Sequence, residues 1–134
     1  MIQQTTFYLS AKRRGCHLVT REVLEHLPKP LPQTGLLHLF VQHTSCALSI
    51  NENADPDVKT DFLRRLDEVY PWEHVHDRHM EGNTAAHLKT STVGHSQTIV
   101  IDRGRLVLGT WQGIYFCEFD GPRQRTYHVK VLKD

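Results

Sequence analysis

Residues 35–53, GLLHLFVQHTSCALSINEN, constrain the fold more than any other stretch. Leu36 to Val41 is almost entirely apolar, the pattern of a strand buried on both faces. Cys46 to Ile50 alternates in part and reads as a second strand. Between them His43, Thr44 and Ser45 form a polar break in an otherwise buried element. Polar groups placed there must be paired, because each orphan costs on the order of 1–3 kcal/mol. The break is therefore more informative than a polar loop on the surface.

The rest of the chain supplies helices and further strands. Asp55-Pro56 marks a helix start, with Asp as N-cap and Pro at the first helical position. Val58, Phe62, Leu66 and Val69 then recur at four, four and three residues, one apolar face of a helix ending near Tyr70-Pro71. Phe7 and Leu9 share a face of a first strand, with Tyr8 on the other. Thr20 is read as the N-cap of a short helix, TREVLEHL, which Pro28, Pro30 and Pro32 stop. Asn83 caps NTAAHLKTS, and Gly94 ends it. Residues 98–101 and 105–109 flank Asp102-Arg103-Gly104, a hairpin signal. Ile114 to Phe119 and Thr126 to Leu132 are two more strands joined by Asp120-Gly121-Pro122. The expected fold is α+β: one compact domain over residues 1–134, of mixed or antiparallel sheet layers with a few short helices.

Charge and cysteine usage exclude several classes. Sixteen basic and fifteen acidic side chains give a net charge of +1, without the basic excess of a nucleic-acid binder. The three cysteines, Cys16, Cys46 and Cys117, are odd in number, widely spaced and form no CxxC pair. They read as small buried hydrophobes rather than a disulfide framework or a thiolate zinc site. Residues 1–15 hold no apolar run of signal-peptide length, and no segment reaches the ~20 apolar residues of a membrane span. A cytoplasmic protein without membrane or nucleic-acid partners is expected.

The chemistry concentrates in residues 74–95, HVHDRHMEGNTAAHLKTSTVGH, which hold five of the ten histidines. Imidazole is the commonest metal ligand and titrates nearest pH 7; the plain alternative is a solvated polar loop. His43 is either a ligand presented from a strand end or a core histidine paired with the backbone. His87 lies one turn into the helix that Asn83 starts, near amides that attract anions. In GTWQGI, residues 109–114, two glycines flank Trp111 and Gln112, which suggests close backbone approach with a polar side chain aimed into a pocket. The alternative there is a bulged strand with Trp111 in the core. Scattered surface charge is the default for each of Lys89, Arg103, Arg105, Arg123 and Arg125; Lys89 and Arg123 are the ones best placed for contact with an anion.

QHTSCALSINENADPDV, HDRHMEGNTAAHLK and GRLVLGTWQGIYFCEFDGPR together resemble the YjbQ-like family of small proteins, essentially over the whole length. The resemblance implies a compact α+β fold, a trimer, a histidine-lined metal or phosphate site and a secondary thiamine-phosphate synthase activity. By matching positions, His43-Thr44-Ser45 corresponds to the family's HTS and Asn51-Glu52 to its N-E-N. Asp55 corresponds to its D-P, His87 to its A-H-[LI]-K, and Gly109 to Gln112 to its GTWQ. His76-Asp77 best fits a histidine–acid position of the family, with His74 still open; His79 and His95 are given no role.

On this resemblance the expected metal ligands are His43, His76 and His87. Three imidazoles suit zinc with a fourth position open, and magnesium is the alternative with a diphosphate substrate. His43, Glu52 and Gln112 are the catalytic candidates, Glu52 as acid/base or positioning group. Ser45, Asn51, Asn83, Lys89 and Arg123 are expected around the phosphorylated ligand. The corresponding reaction joins an aminopyrimidine diphosphate to a thiazole phosphate as pyrophosphate leaves. The rival readings are a metal- and phosphate-binding module without turnover and a phosphoester hydrolase at the same site.

Overall fold

The computed structural model describes residues 2–134. Eight strands and three helices follow the chain as β1 (Ile2–Leu9), β2 (Gly15–Leu18), α1 (Thr20–Glu25), β3 (Thr34–Val41), β4 (Cys46–Glu52), α2 (Pro56–Val69), α3 (Thr84–Val93), β5 (Ser96–Asp102), β6 (Arg105–Leu106), β7 (Gln112–Glu118) and β8 (Arg125–Lys133). They form two sheets, one of five strands in the order β1-β8-β3-β5-β6 and one of three in the order β2-β7-β4. Every strand pairing is antiparallel. The fold is α+β, with the two sheets face to face and helices over the smaller one.

The apolar run that opens β3 is buried on one face only. Leu37, Leu39 and Val41 are fully buried, whereas Leu36 and Phe40 alternate outward. The side-chain period of a strand is two, so a continuous apolar run still divides between faces. The inner residues meet Ile99, Ile101, Tyr127, Val129 and Val131 of the same sheet and Leu48, Ile114 and Phe116 of the smaller one. The outer face, including Leu36, Phe40 and Val100, remains exposed.

The second face of the smaller sheet carries Cys16, Ala47, Tyr115 and Cys117, which pack with Ala86 of α3 and with Phe62, Leu63 and Leu66 of α2. Phe62 and Leu66 of the expected face of α2 thus meet the sheet, whereas Val69, at the helix end, is 65% exposed and does not; Asp55 caps the helix by accepting from the Asp57 amide at 2.9 Å. All three cysteines are buried and unpaired by disulfides.

The Asp120-Gly121-Pro122 turn joins β7 to β8 as expected and carries the chain from the smaller sheet to the larger. Three expectations about local structure are corrected. The strand expected over 105–109 shortens to β6, because Gln112 Oε1 accepts from the Gly109 amide at 2.8 Å and bends the chain away. Val19, not Thr20, occupies the N-cap of α1, since the Thr20 hydroxyl accepts from the Ile114 amide at 2.9 Å. Trp111 is 63% exposed and belongs to no core.

Candidate functional site

The HTS break is anchored from two directions. His43 Nε2 accepts from the Thr126 amide at 3.0 Å, as β8 begins. An acceptor nitrogen cannot carry the proton, so neutral His43 holds it on Nδ1. Burial, then the Arg125 charge, pushes the imidazole below its ordinary pKa, and neutral is the form the site favours. In this arrangement neither ring nitrogen has a lone pair free for a metal. The geometry is that of a histidine paired with the backbone.

Thr44 turns its carbonyl to His87, whose Nδ1 lies 2.9 Å away. A carbonyl only accepts, so Nδ1 carries the proton and Nε2 keeps its lone pair. Metal-binding and acid/base histidines are commonly oriented by such a bond. The His79 ring stands edge-on at 5.2 Å from the His87 ring. His74 and His76 lie 5.7 Å apart, and His74 is 3.9 Å from Asp77.

Ser45 is held by an ion pair hidden beneath the break. Arg125 donates from Nη2 to Ser45 Oγ at 2.9 Å and to its carbonyl at 3.3 Å. Its Nε and Nη2 grip the Glu118 carboxylate at 2.8 and 2.6 Å. The side chains of Arg125 and Glu118 are 4% and 0% exposed. Burial is the largest single influence and opposes the guanidinium charge, but the hydrogen bonds to Glu118 together with the electrostatic attraction of Cys46, Glu118 and Asp120 outweigh it and raise the pKa of Arg125. Arg125 is therefore no surface charge, and its immediate sequence neighbours give no signal of that role.

Around the start of α3 the polar groups hold one another. Asn83 does not cap the helix with its side chain. Its Nδ2 donates to Asp120 Oδ2 at 2.7 Å, and its buried Oδ1 has no hydrogen-bond partner. Arg123 pairs with Asp120 at 2.8 Å and approaches Glu81 at 3.7 Å. Lys89 pairs with Asp67 of α2.

Asn51, Glu52 and Gln112 are elsewhere. Glu52 pairs with Gln112 at the far end of β4, whereas Ser45 immediately precedes its first residue. Six residue steps of extended strand separate the two ends by about 20 Å. One chain thus does not bring Glu52 and Gln112 to the ligands expected around His43 and His87. Glu52 Oε2 accepts from the Ala54 and Asp55 amides at 2.6 and 2.8 Å, and Asn51 Oδ1 from the Glu52 amide at 2.8 Å. Gln112 holds Gly109, as described above. Gly113 provides the close approach read from GTWQGI: a Cβ there would stand 2.5 Å from Leu18 Cδ1.

The family model described as UPF0047 protein YjbQ-like matches residues 5–134. The chain belongs to the YjbQ-like family. It is 61% identical over 114 residues to UPF0047 protein YugU of Bacillus subtilis, covering 85% of this chain and 86% of that protein. UPF0047 protein MJ1081 of Methanocaldococcus jannaschii is 44% identical over 125 residues, covering 92% and 88%. A YjbQ/UPF0047 family protein of Clostridium acetobutylicum superposes with a TM-score of 0.89 at 43% identity, covering 96% of this chain and 99% of that one. A YbjQ-like protein of unknown function from Sulfolobus solfataricus gives 0.91 at 28% identity, covering 100% and 99%. These family relatives are described without an activity, so the thiamine-phosphate synthase chemistry implied by the resemblance draws no support from them.

Among the described residues, no group of three or more His, Cys, Asp or Glu side chains is arranged to hold a metal ion. The His87 and His79 rings are neighbours, and two imidazoles are one short of the usual three protein ligands of an open zinc centre. Among those residues, no helix is long and apolar enough to cross a membrane.

Proposed function

We propose that this YjbQ-like protein is a binding module for a small phosphorylated molecule, centred on His87. The observation that carries the reading is the 2.9 Å hydrogen bond from His87 Nδ1 to the Thr44 carbonyl, which fixes the tautomer and leaves Nε2 able to take a metal or a phosphate proton. His79 replaces His43 in the proposed ligand set, because the His43 Nε2 lone pair is already bonded to the Thr126 amide. His76, on the same loop as His79, is the proposed third ligand. Three imidazoles suit zinc; magnesium would serve a diphosphate instead. When bound, the metal would neutralise phosphate charge.

The transferase reading has weaker support. Pyrophosphate departure calls for cations free to follow the charge; Arg123 is engaged by Asp120, and Lys89 lies on the side of α3 opposite His87. Glu52, the proposed acid/base group, already accepts two backbone amides. Measurement of metal content after dialysis tests the binding reading. Loss in His87→Ala with retention in His43→Gln agrees with it, and equal content in wild type and His87→Ala opposes it.

We propose also that the protein is the homotrimer its family resemblance implies, with the outer face of the five-stranded sheet as the contact. Leu36, Phe40 and Val100 supply exposed apolar area on that face, which association would cover.

A further inference from the structure

Successive residues of a helix are 100° apart, so Lys89 points to the side of α3 opposite His87. There it borders a cleft of about 490 Å³ between α2, α3 and the end of β7, within the roughly 300–1,000 Å³ range of small-molecule sites. Leu63, Trp72 and Phe119 give the cleft apolar and aromatic walls. The Arg14 guanidinium lies 3.8 Å over the Trp72 ring and donates to Asp120 at 3.2 Å. Glu118 also lines the cleft, but its carboxylate is bound to Arg125.

The remaining charges are Lys89 and Asp67, which face each other as an ion pair. They are unequal partners. The Lys89 side chain is 9% exposed, whereas that of Asp67 is 67% exposed. The Lys89 ammonium is also 5.9 Å from the Phe119 ring centre. A buried ammonium needs an anion, but an exposed carboxylate is readily exchanged because an ion pair open to water is weak. A bare inorganic anion would leave the aromatic walls uncovered, whereas a flat organic acid would bury them.

We propose that this cleft binds a small planar organic monoanion, an aromatic carboxylate in the simplest case. Its carboxylate displaces Asp67 from Lys89, and its ring lies against Trp72 and Phe119. This site is separate from the His87 site, so His87→Ala leaves it intact.

The test is titration with benzoate, with the neutral benzamide and the ringless acetate as comparators. Trp111→Phe serves as background, leaving Trp72 the sole tryptophan reporter. Benzoate is expected to give a saturable change in the Trp72 indole N–H signal, with benzamide and acetate binding about tenfold or more weakly. Asp67→Asn removes the competing carboxylate from an exposed position and should tighten benzoate roughly two- to fivefold. Lys89→Met should erase the preference for benzoate over benzamide. If Lys89→Met impairs folding, the surface variant Asp67→Asn decides. Absence of saturable benzoate binding, equal binding of benzamide, or unchanged or weaker benzoate binding in Asp67→Asn overturns the proposal.

Discussion

Replacing Arg125 with methionine should destabilise the protein more than any surface substitution. In the native fold Glu118 is fully buried, and Arg125 satisfies both its carboxylate oxygens. The Arg125→Met change would leave that carboxylate with the Asp120 amide, 3.0 Å away, as its remaining hydrogen-bond donor, and would release Ser45. Breaking one side of a buried pair costs about 3–5 kcal/mol, because the surviving charge keeps its desolvation penalty without its partner. For a chain of 134 residues, each kcal/mol shifts Tm by roughly 3–5 °C, so the expected fall is about 10–20 °C. Differential scanning calorimetry measures it. The double variant Glu118→Met/Arg125→Met removes both charges and should recover part of the loss. A fall of less than about 3 °C, or a double variant no better than Arg125→Met, would refute the reasoning.

Three further outcomes follow from the same geometry. Burial and Arg125 place the folded pKa of His43 below its ordinary 6.5, so unfolding takes up a proton between those values; the His43 contribution is fully present above 6.5 and is lost as pH falls through the folded pKa. Thermal unfolding from pH 7.5 to 5 should therefore show a smaller decline in His43→Gln than in wild type, and parallel curves would contradict it. Glu52→Gln should lower stability by about 1 kcal/mol through weaker bonds to the Ala54 and Asp55 amides while leaving metal and phosphate binding unchanged; loss of binding with normal stability would return Glu52 to the functional site. In light scattering the wild type should have the mass of the proposed trimer and Phe40→Lys, on the exposed face of β3, that of a monomer; a monomeric wild type would contradict the assembly, and an unchanged trimeric mass would move the interface elsewhere.

Local periodicity makes some of this structure legible in the sequence. Asp55-Pro56 and the apolar spacing from Val58 to Leu66 identify α2, and Gly94 marks the end of α3. The HTS break is recognisable as a feature needing partners, but its partners lie about eighty residues away in sequence and emerge only from strand pairing. Similar distance obscures Arg125, whose immediate neighbours resemble surface sequence. His43 and Glu52 are only nine residues apart, which suggests a shared site, yet an extended strand between them carries the two groups to opposite ends. His79 lies in the histidine-rich stretch that the sequence marks, but its pairing with His87 does not show there, because a neighbouring ring across a loop leaves no spacing signature.

The proposed binding site turns on one atom, His87 Nε2. Long-range ¹H–¹⁵N NMR of the imidazoles reports directly which ring nitrogen carries the proton and which one a metal perturbs. The account predicts a neutral His87 with the proton on Nδ1 and a large Nε2 shift on addition of zinc with inorganic phosphate, while the His43 nitrogens stay in place. A proton on His87 Nε2, or an Nε2 signal unmoved at saturating zinc and phosphate, would contradict it.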